Sequence, residues 1–442
     1  MVAANEGKKR VKAKWPFTAP ALIGAALLCV AVLGAGCAGN RTAPNAVDAA
    51  TLVLSEPFDH LDVPAREPMI VEHPDGTLFV SGYGESTPTL WKSRDRGATW
   101  ERVDVGSEAS GALGNSDVDL AVAPDGTLYF ASMVFDRKAL EGESISIGVS
   151  RDLGATWSWT LLSKSRFDDR PWVEVGGDGT VHVIWNDGEG VCHVVSEDGG
   201  KSWTERARIH PRGGSSHLAT GPGHDVAVRI VPISASGNKF DEGVDLVAVS
   251  TDGGKTWQKH EAPGRREWRP FLDTTTTPPS WVEPELPRWV EPLAWDADGA
   301  LYSFWTNREG LWLARSLDRG ATWKSWKVAA SSGVPHFPYL VARARGELAA
   351  TWFSGRGETL HGHAARLAIG DGDRAPRMIE APPFRTDSWR FGERPEDTPE
   401  RDTAGEYLAL TFLRDGGVAI VSPIQNRRAN RFGFSWRRLA AR

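Results

Sequence analysis

The feature that most constrains the fold is an octapeptide, Ser-x-Asp-x-Gly-x-Thr/Ser-Trp, which occurs five times in the 442-residue chain. In each copy the Asp side chain can accept hydrogen bonds from the backbone just ahead of it, and Gly supplies a positive φ. The Trp begins the returning strand with a large ring to bury. Each copy is therefore predicted to close a β-hairpin. The copies are Ser93–Trp100, Ser150–Trp157, Ser196–Trp203, Ser250–Trp257 and Ser316–Trp323.

A second pattern lies between the octapeptides: two short apolar runs joined by a tight Asp-Gly turn, which is a strong hairpin signal. It is clearest in Met69–Val80, Leu120–Phe130 and Val173–Trp185. Together with the octapeptide hairpin and the strand after its Trp, each unit has four antiparallel strands. Successive octapeptides are 57, 46, 54 and 66 residues apart, Asp to Asp, which suits one four-stranded sheet each.

The octapeptide resembles the Asp box of the sialidase-like, or BNR-repeat, β-propellers. The resemblance implies an all-β fold, a single β-propeller of four-stranded antiparallel blades with the box hairpins at their outer edges. In that family the boxes lie far from the chemistry and also occur in proteins that are not enzymes. They therefore predict the fold and leave the activity open.

The number of blades follows from two further units that lack an intact box. Pro338–Trp352 opens a sixth unit, whose box has decayed around Asp371, and Tyr407–Val421 opens a seventh. The seventh supplies only three strands, and the early apolar strand Thr51–Leu54 can supply the fourth and close the ring. We therefore predict one propeller over residues 51–442 with seven blades, and six blades, the usual number in the enzyme family, as the alternative.

The N-terminus is predicted to be a targeting segment over residues 1–37. A basic stretch precedes an apolar stretch from about Ala19 to Gly36, which ends at Cys37. Leu33–Cys37 resembles a bacterial lipobox with Gly34 in place of the usual Leu, so Cys37 is predicted to be lipidated. An uncleaved apolar anchor is the alternative, since about 18 apolar residues is near the minimum membrane span.

Both readings of the N-terminus place the body outside the cytoplasm on a bacterial membrane. Residues 38–50 form a short flexible tether in this interpretation. By resemblance to lipoproteins, Ala38 after the lipidated Cys37 implies the outer membrane if the source is Gram-negative. Cys192 is then the one cysteine left in the body, so a core without an intrachain disulfide is expected.

The charge distribution argues against nucleic acid as a partner. The net charge is −6, but residues 1–37 hold five Lys/Arg and one Glu, so the remaining 46 Lys/Arg and 56 Asp/Glu give −10. A body this acidic is poorly suited to a phosphate backbone. We expect a monomer with a carbohydrate or protein ligand and with no cofactor.

Residues just before each inner strand should converge at one mouth of the propeller's central channel. This predicted mouth is acidic with two embedded arginines, and it can be either a sugar site or an ion-paired plug that fixes the blade ends. Two inserts, Arg265 to about Arg288 and Thr386 to about Thr403, are candidates for binding loops beside it. The mouth residues are Arg66, Glu67, Asp117, Asp119, Asp169, Arg170, His217, Glu291, His336, Phe337, Glu406 and Tyr407.

The resemblance to sialidases assigns catalytic roles to some of these residues. Sialidases use a Tyr nucleophile paired with a Glu, and an Asp as acid/base. Tyr407, which opens a late inner strand, matches the nucleophile, although Leu408 stands where the family has Ser. Glu291 matches the partner of the Tyr, and Asp117 matches the acid/base.

The family's arginine triad, which grips the substrate carboxylate, is matched only in part. Arg66 lies in Ala-Arg-Glu-Pro, where the family has Phe/Tyr-Arg-Ile-Pro, and Arg170 is the second candidate; a third is not identifiable. The candidate substrate-binding residues are Arg66, Arg170, Asp169, His336 and Glu406.

Other signatures of catalysis or metal binding are absent from the sequence. His361-Gly-His363 would place two imidazoles on one strand face, but outward polar alternation on an outer strand explains the pair equally well, so no metal site is predicted. Two functions remain. The chain is a non-catalytic glycan- or protein-binding module, which we favour because the arginine triad is incomplete, or it is an exo-glycosidase of sialidase type.

Overall fold

The computed structural model describes most of the chain between residues 51 and 441. The described residues are 51–232, 244–264, 272–273, 280–281, 290–307, 310–330, 335–354, 360–370, 372, 374–386, 408–426 and 430–441. All of them belong to one compact unit, Val47–Arg442. The predicted signal segment 1–37 with Cys37 and the tether 38–50 lie outside the described residues. Within the described part, no helix is long and apolar enough to cross a membrane.

The apolar runs between tight turns form antiparallel strands, as their turn chemistry predicts. The first strands are β1 (Leu52–Leu54), β2 (Phe58–Leu61), β3 (Arg66–Glu72), β4 (Leu78–Tyr83), β5 (Thr89–Ser93), β6 (Glu101–Arg102), β7 (Val118–Val122), β8 (Leu128–Asp136), β9 (Glu141–Ser150), β10 (Ser158–Ser163), β11 (Asp168–Val175), β12 (Val181–Asp187), β13 (Val191–Ser196), β14 (Ala207–His210), β15 (Gly214–Thr220), β16 (Val226–Val231), β17 (Leu246–Ser250) and β18 (Gln258–Glu261). One turn of 3-10 helix, Glu108–Ser110, follows β6.

The remaining strands continue the same alternation. They are β19 (Leu272–Asp273), β20 (Ser280–Trp281), β21 (Leu293–Trp295), β22 (Leu301–Asn307), β23 (Gly310–Ser316), β24 (Lys324–Ala330), β25 (Pro335–Ala342), β26 (Glu347–Ser354), β27 (His361–Ala368), β28 (Arg377–Glu380), β29 (Phe384–Arg385), β30 (Leu410–Phe412), β31 (Val418–Asn426) and β32 (Arg431–Ala441).

The described strands form seven blades of four antiparallel strands around one channel, which confirms the predicted fold and the favoured blade count. Blades 1 to 4 have the order β3-β4-β5-β6, β7-β8-β9-β10, β11-β12-β13-β14 and β15-β16-β17-β18. Blades 5 to 7 have the order β21-β22-β23-β24, β25-β26-β27-β28 and β30-β31-β32-β1. The first strand of each blade lines the channel, while β29 and β2 add to blades 6 and 7, and β19 and β20 pair as a separate hairpin.

The ring closes by pairing the two ends of the described chain. Strand β1 lies beside β32, with Leu52 opposite Ala441 and Leu54 opposite Leu439. Strand β2 also pairs with β32, with Phe58 opposite Trp436. The early apolar strand thus supplies the fourth strand of blade 7, as its position in the sequence predicts.

The five Asp boxes join the third strand of a blade to the fourth and share one set of hydrogen bonds. In the first box, Thr99 donates from its backbone N–H and from its hydroxyl to the Asp95 carboxylate, at 2.8 and 2.6 Å. The Ser93 hydroxyl donates to Asp95 at 2.8 Å and accepts from the N–H of Gly97 at 2.7 Å. These contacts lie within one octapeptide, so each turn closes without help from a neighbouring blade.

Each box also packs against the preceding blade through the glycine that lies two residues after its Asp. A Cβ built on Gly97 would overlap the indole ring of Trp436 in blade 7, whose Nε1–H donates to the Gly97 carbonyl at 2.9 Å. The other box glycines meet the preceding blade in the same way: Gly154 faces Val103, Gly200 faces Val149, Gly254 faces His193 and Gly320 faces Val249. The box series therefore also joins blade 1 to blade 7.

Candidate functional site

The inner strands begin at one end of the channel, which we call the mouth. Arg66 is the first residue of β3, Asp117 immediately precedes β7, and Asp169 and Arg170 lie in the first half of β11. His336 is the second residue of β25. The sequence-predicted residues of four different blades therefore stand at equivalent positions.

Four inner strands have a β-bulge near the mouth that the sequence analysis missed: β15 shifts register after Ser215, and the bulges of the other three share one backbone pattern. The register shifts just after Arg66 in β3, after Asp169 in β11 and after His336 in β25. In each of these three bulges a residue other than glycine adopts a positive φ: Glu67 at 44°, Arg170 at 52° and Phe337 at 44°. Such backbone costs about 1–3 kcal/mol and re-aims side chains. The sequence signal is the proline that follows each of these three residues.

Arg66, Asp117, Asp169 and Arg170 form a charged cluster that joins blades 1, 2 and 3. Burial raises the pKa of the Asp117 carboxyl, against the attraction of Arg170 and, more weakly, of Arg66. Burial also raises the pKa of Asp169 to about 7, opposed by Arg170 and reinforced by the charge of Asp117. The Nε of Arg170 lies 3.5 Å from the Asp169 carboxylate. The charge of Arg170 thus acts on both carboxyls at the mouth, and that of Arg66 acts on Asp117.

Arg66 is held by its own blade. Its guanidinium carbon lies 5.6 Å from the ring centroid of Tyr83, which is the residue opposite it in the pairing of β3 with β4. A guanidinium over an aromatic face at this distance is a cation–π contact. Because only 8% of Arg66 is exposed, its charge acts in a poorly hydrated setting.

Glu291 lies in a buried ion cluster that the sequence did not indicate. The guanidinium of Arg229 donates to Glu291 at 2.5 Å and to Asp245, and a second nitrogen donates to the carbonyls of Ile230 and Leu246. Burial would lower the pKa of Arg229, but the two carboxylates raise it above its usual value. The sequence feature that could have indicated this cluster is a single Arg within the otherwise apolar strand β16. The assignment of Glu291 as the partner of Tyr407 stays a prediction.

Below the mouth the channel contains a cavity of about 240 Å³ that touches all seven inner strands. Burial raises the pKa of Asp119 to about 7 and that of Glu174 to about 8, the latter with help from Asp119. His217 also lines the cavity, with its ring centroid 4.9 Å from that of Trp172 in a tilted contact and 5.4 Å from that of Tyr339 in an edge-to-face contact, and burial lowers its pKa to about 3. Burial in this part of the channel therefore favours the uncharged forms of Asp119, Glu174 and His217.

The remaining predicted residues divide into two groups. His336 is buried, with its ring 6.2 Å from that of Phe337. Tyr407, Glu406 and nearly all of both predicted binding inserts lie outside the described residues. The nucleophile assignment for Tyr407 and the ligand role of Glu406 therefore stay predictions.

The His361-Gly-His363 pair does not form a metal centre with its described neighbours. Both ring nitrogens of His363 are engaged by side chains of its own blade. Among the described residues, no group of three or more His, Cys, Asp or Glu side chains is spaced to hold a metal ion.

The fold and the mouth define a seven-bladed β-propeller with a polar channel end. Residues 248–259, which contain the fourth octapeptide, match the family described as BNR/Asp-box repeat. The chain thus carries the BNR/Asp-box repeat that its octapeptides predict, in a seven-bladed β-propeller. No curated protein sequence matches it.

Several solved structures resemble the chain at low sequence identity. An α-L-arabinanase of Penicillium chrysogenum, complexed with arabinobiose, is 14% identical over 89% of this chain and 97% of that one, with a TM-score of 0.45. An ulvan lyase is 11% identical over 86% and 95%, with a TM-score of 0.48. The intramolecular trans-sialidase of Ruminococcus gnavus is 12% identical over 86% and 94%, with a TM-score of 0.39. At identities of 11–14% and TM-scores below 0.5, these similarities say nothing about the ligand or activity of this chain.

Proposed function

We propose that the protein binds carbohydrate at the mouth, through a carboxylate carried by the sugar. The observation that carries this proposal is that Arg66 and Arg170, at the mouth ends of blades 1 and 3, both act electrostatically on Asp117 at the start of blade 2. Guanidinium groups suit carboxylate recognition because they can donate two parallel hydrogen bonds. The cluster joins residues that are far apart in sequence at one end of a channel, where propellers bind ligands.

The two aspartates in the cluster are compatible with an acidic ligand because burial favours their neutral forms. Near pH 7, Asp169 is about half protonated, since its pKa is about 7. A neutral carboxyl leaves the charge of Arg170 available and can itself donate a hydrogen bond to a sugar hydroxyl. We expect affinity for an acidic sugar to fall as the pH rises above 7, because the ionised aspartates then compete for the arginines.

Titration calorimetry with N-acetylneuraminic acid, glucuronic acid and glucose tests this function. We expect the wild type to bind an acidic sugar. Arg66→Ala and Arg170→Ala should each bind it at least about tenfold more weakly, because a hydrogen bond to a charged group is worth about 1.5–3 kcal/mol. Arg94→Ala, which removes an exposed arginine of the first box, is the matched control. Equal binding of glucose, or unchanged binding in both mouth variants, would contradict recognition of a sugar carboxylate by the two arginines, and no binding of any of the three sugars would leave a protein ligand as the better explanation.

An exo-glycosidase of sialidase type is the second candidate, and the raised pKa of Asp117 favours it. A general acid must hold its proton near neutral pH. In this reading Asp117 protonates the leaving oxygen, Tyr407 is the nucleophile and Glu291 is its partner. Turnover of a fluorogenic sialoside or uronide that both Asp117→Asn and Tyr407→Phe abolish would establish the enzyme. Absence of turnover with bound ligand would leave the binding module.

We further propose that the propeller is a monomer held outside the cytoplasm by a lipid on Cys37, on the outer membrane if the source is Gram-negative. The support is the basic and apolar sequence of residues 1–37. Growth with an alkyne analogue of palmitate should label the wild-type chain and not Cys37→Ser. Labelling of both, or of neither, would favour an uncleaved apolar anchor. Size-exclusion chromatography with light scattering reports the oligomeric state.

A further inference from the structure

Three polar side chains on blade 6 form a continuous hydrogen-bonded chain far from the mouth cluster in sequence. Ser354 Oγ lies 2.6 Å from Nε2 of His363, and Nδ1 of the same ring lies 2.7 Å from a carboxylate oxygen of Glu380. One imidazole thus bridges a hydroxyl and a carboxylate, each through a different ring nitrogen. This order, hydroxyl–imidazole–carboxylate, is the one that activates a serine nucleophile.

Strand register brings the three residues onto one face of the sheet. Ser354 is opposite His361 and Trp352 is opposite His363 in the pairing of β26 with β27. Since side chains two residues apart on a strand share a face, Ser354 and His363 are diagonal neighbours. Ala365 is opposite Glu380 in the pairing of β27 with β28, which makes Glu380 the diagonal neighbour of His363 on the other side.

The proton positions follow from the partners. An ionised carboxylate only accepts hydrogen bonds, so Nδ1 of His363 carries a proton and donates it to Glu380. Nε2 is then the basic nitrogen, and the hydroxyl of Ser354 must donate to it. His363 is therefore placed to remove the proton of Ser354, and Glu380 fixes the tautomer in which it can do so.

The surroundings hold the imidazole in this orientation. The ring of His363 stacks on that of Trp352, with centroids 5.1 Å apart and planes at 9°. Ser354, at the last position of β26, is 9% exposed, while the side chain of Glu380 is 35% exposed at the outer edge. The hydroxyl is thus at the end of its strand, and the base beside it is fixed by its two partners and by Trp352.

We propose that Ser354, His363 and Glu380 form a second site, which hydrolyses esters of small acyl groups by way of an acyl-serine. This activity does not use the charged cluster of Arg66, Asp117, Asp169 and Arg170. The limited exposure of Ser354 restricts the acyl group to the size of acetyl.

The reaction balances with water as the co-reactant. Ser354 Oγ forms a bond to the ester carbonyl carbon while its proton passes to Nε2 of His363. The carbon–oxygen bond to the alcohol then breaks, and the departing oxygen takes that proton. Water attacks the acyl-serine by the same route in reverse, releasing the carboxylic acid and restoring the hydroxyl of Ser354. Glu380 acts as a positioning residue throughout.

The experiment is stoichiometric labelling of the purified full-length chain with a fluorophosphonate, whose phosphorus accepts the serine oxygen as fluoride leaves. One adduct, mapped to Ser354 by mass spectrometry, is expected. The labelling rate should fall about 10²–10⁴-fold in His363→Gln, because a positioned general base contributes that much. His361→Gln, two residues away on the same strand, should label at the wild-type rate. Hydrolysis of 4-nitrophenyl acetate should exceed that of the octanoate and vanish in Ser354→Ala.

A purely structural hydrogen-bonded chain predicts different results. It would lower the unfolding midpoint in these variants and would leave Ser354 inert to the fluorophosphonate. An adduct on another residue, no adduct, or equal labelling of wild type and His363→Gln would each overturn the proposal. If His363→Gln does not fold, Glu380→Gln at the exposed edge replaces it. Labelling slowed in Glu380→Gln and partly restored in Glu380→Asp supports the triad, and labelling unchanged in Glu380→Gln overturns it.

Discussion

Aspartates occur in two settings in this propeller, the box turns at the rim and the inner strands along the channel, and the two settings have opposite effects on the same side chain. In the first box, hydrogen bonds from Thr99 and Ser93 hold the carboxylate of Asp95 as an anion and lower its pKa to about 2. In the channel, burial raises the pKa of Asp119 to about 7, although two backbone N–H groups bond to it. Whether an aspartate favours its charged or its neutral form therefore depends on whether it lies in a box turn or on an inner strand.

The two settings also differ in the range of their hydrogen bonds along the sequence. The partners of a box aspartate lie within four residues of it, whereas Asp119 accepts the N–H of Val173 from the next blade at 2.8 Å. A box can thus form before its blade is complete, while the channel contacts need two blades in place. The rim should tolerate substitution better than the channel.

The largest expected effect is in the buried interior, at the ion cluster of Arg229 on β16, behind the strands that line the channel. Arg229→Met removes the guanidinium that donates to the Asp245 and Glu291 carboxylates, and breaking a buried pair costs about 3–5 kcal/mol of unfolding free energy. Arg319→Met removes an exposed partner of Asp225 and should cost less than about 1 kcal/mol. Urea unfolding measures both. Similar losses of unfolding free energy in the two variants would contradict the distinction between the buried interior and the rim.

The second prediction concerns the pH dependence that Asp119 gives to stability. The pKa of Asp119 is about 7 in the folded protein, above the usual value of 3.8. Between pH 4 and 7 the folded protein therefore keeps a proton on Asp119 that the unfolded chain has already released. The stabilisation is complete below pH 4 and is lost as the pH rises to 7, by up to about 4 kcal/mol at 1.36 kcal/mol per unit.

Asp119→Asn cannot ionise, so its unfolding free energy should fall less between pH 4 and 7 than that of the wild type. Denaturant unfolding at several pH values measures the two slopes. Asp125→Asn, at a turn outside the channel, is the control. Parallel curves for the wild type and Asp119→Asn would show that Asp119 is ionised in the folded state.

A smaller effect, about 2–4 kcal/mol, is expected for Gly97→Ala at the rim. The methyl group would overlap the indole of Trp436, and φ at Gly97 is +86°, so overpacking and left-handed backbone both contribute. Gly253→Ala in the fourth box is the control, because its φ is +72° and no atom lies within 4 Å of a Cβ built there. It should cost about 1 kcal/mol. Equal thermal shifts would mean that Trp436 moves away freely.

The rim was predictable from the sequence because its interactions are local. The box residues that bond to one another are at most four apart, so the repeat predicts the turn, the blade and, by counting, the seven-bladed ring. At the position of Gly253 other boxes have Arg96, Leu153 and Arg319 with a positive φ, whereas the next residue is glycine in all five. The glycine that packs on the preceding blade is thus visible in the repeat itself.

The channel was predictable only in part because its contacts join different blades. Counting from the Asp-Gly turns placed Arg66, Asp117 and Arg170 at strand starts, since that step needs only strand length. The partner of Glu291 was missed because Arg229 lies 62 residues away on another blade. The bulges were missed because a register shift depends on how two strands pair, and proline gives only an indirect sign of it.

The smallest effect, and the one that completes the comparison, is expected for Asp252→Asn in the fourth box. Hydrogen bonds from Thr256 and Ser250 lower the pKa of Asp252 to about 2, so the stability that its charge provides is present above pH 4 and lost as the pH falls toward 2. The pH slope thus has the opposite sign to that of Asp119. The side chain is partly exposed, so the change at pH 7 should be small, with a shallower loss of stability below pH 4 than in the wild type. An unfolding series from pH 2 to 5 tests this, and a variant curve as steep as that of the wild type would mean that the hydrogen bonds, and not the charge, account for the turn.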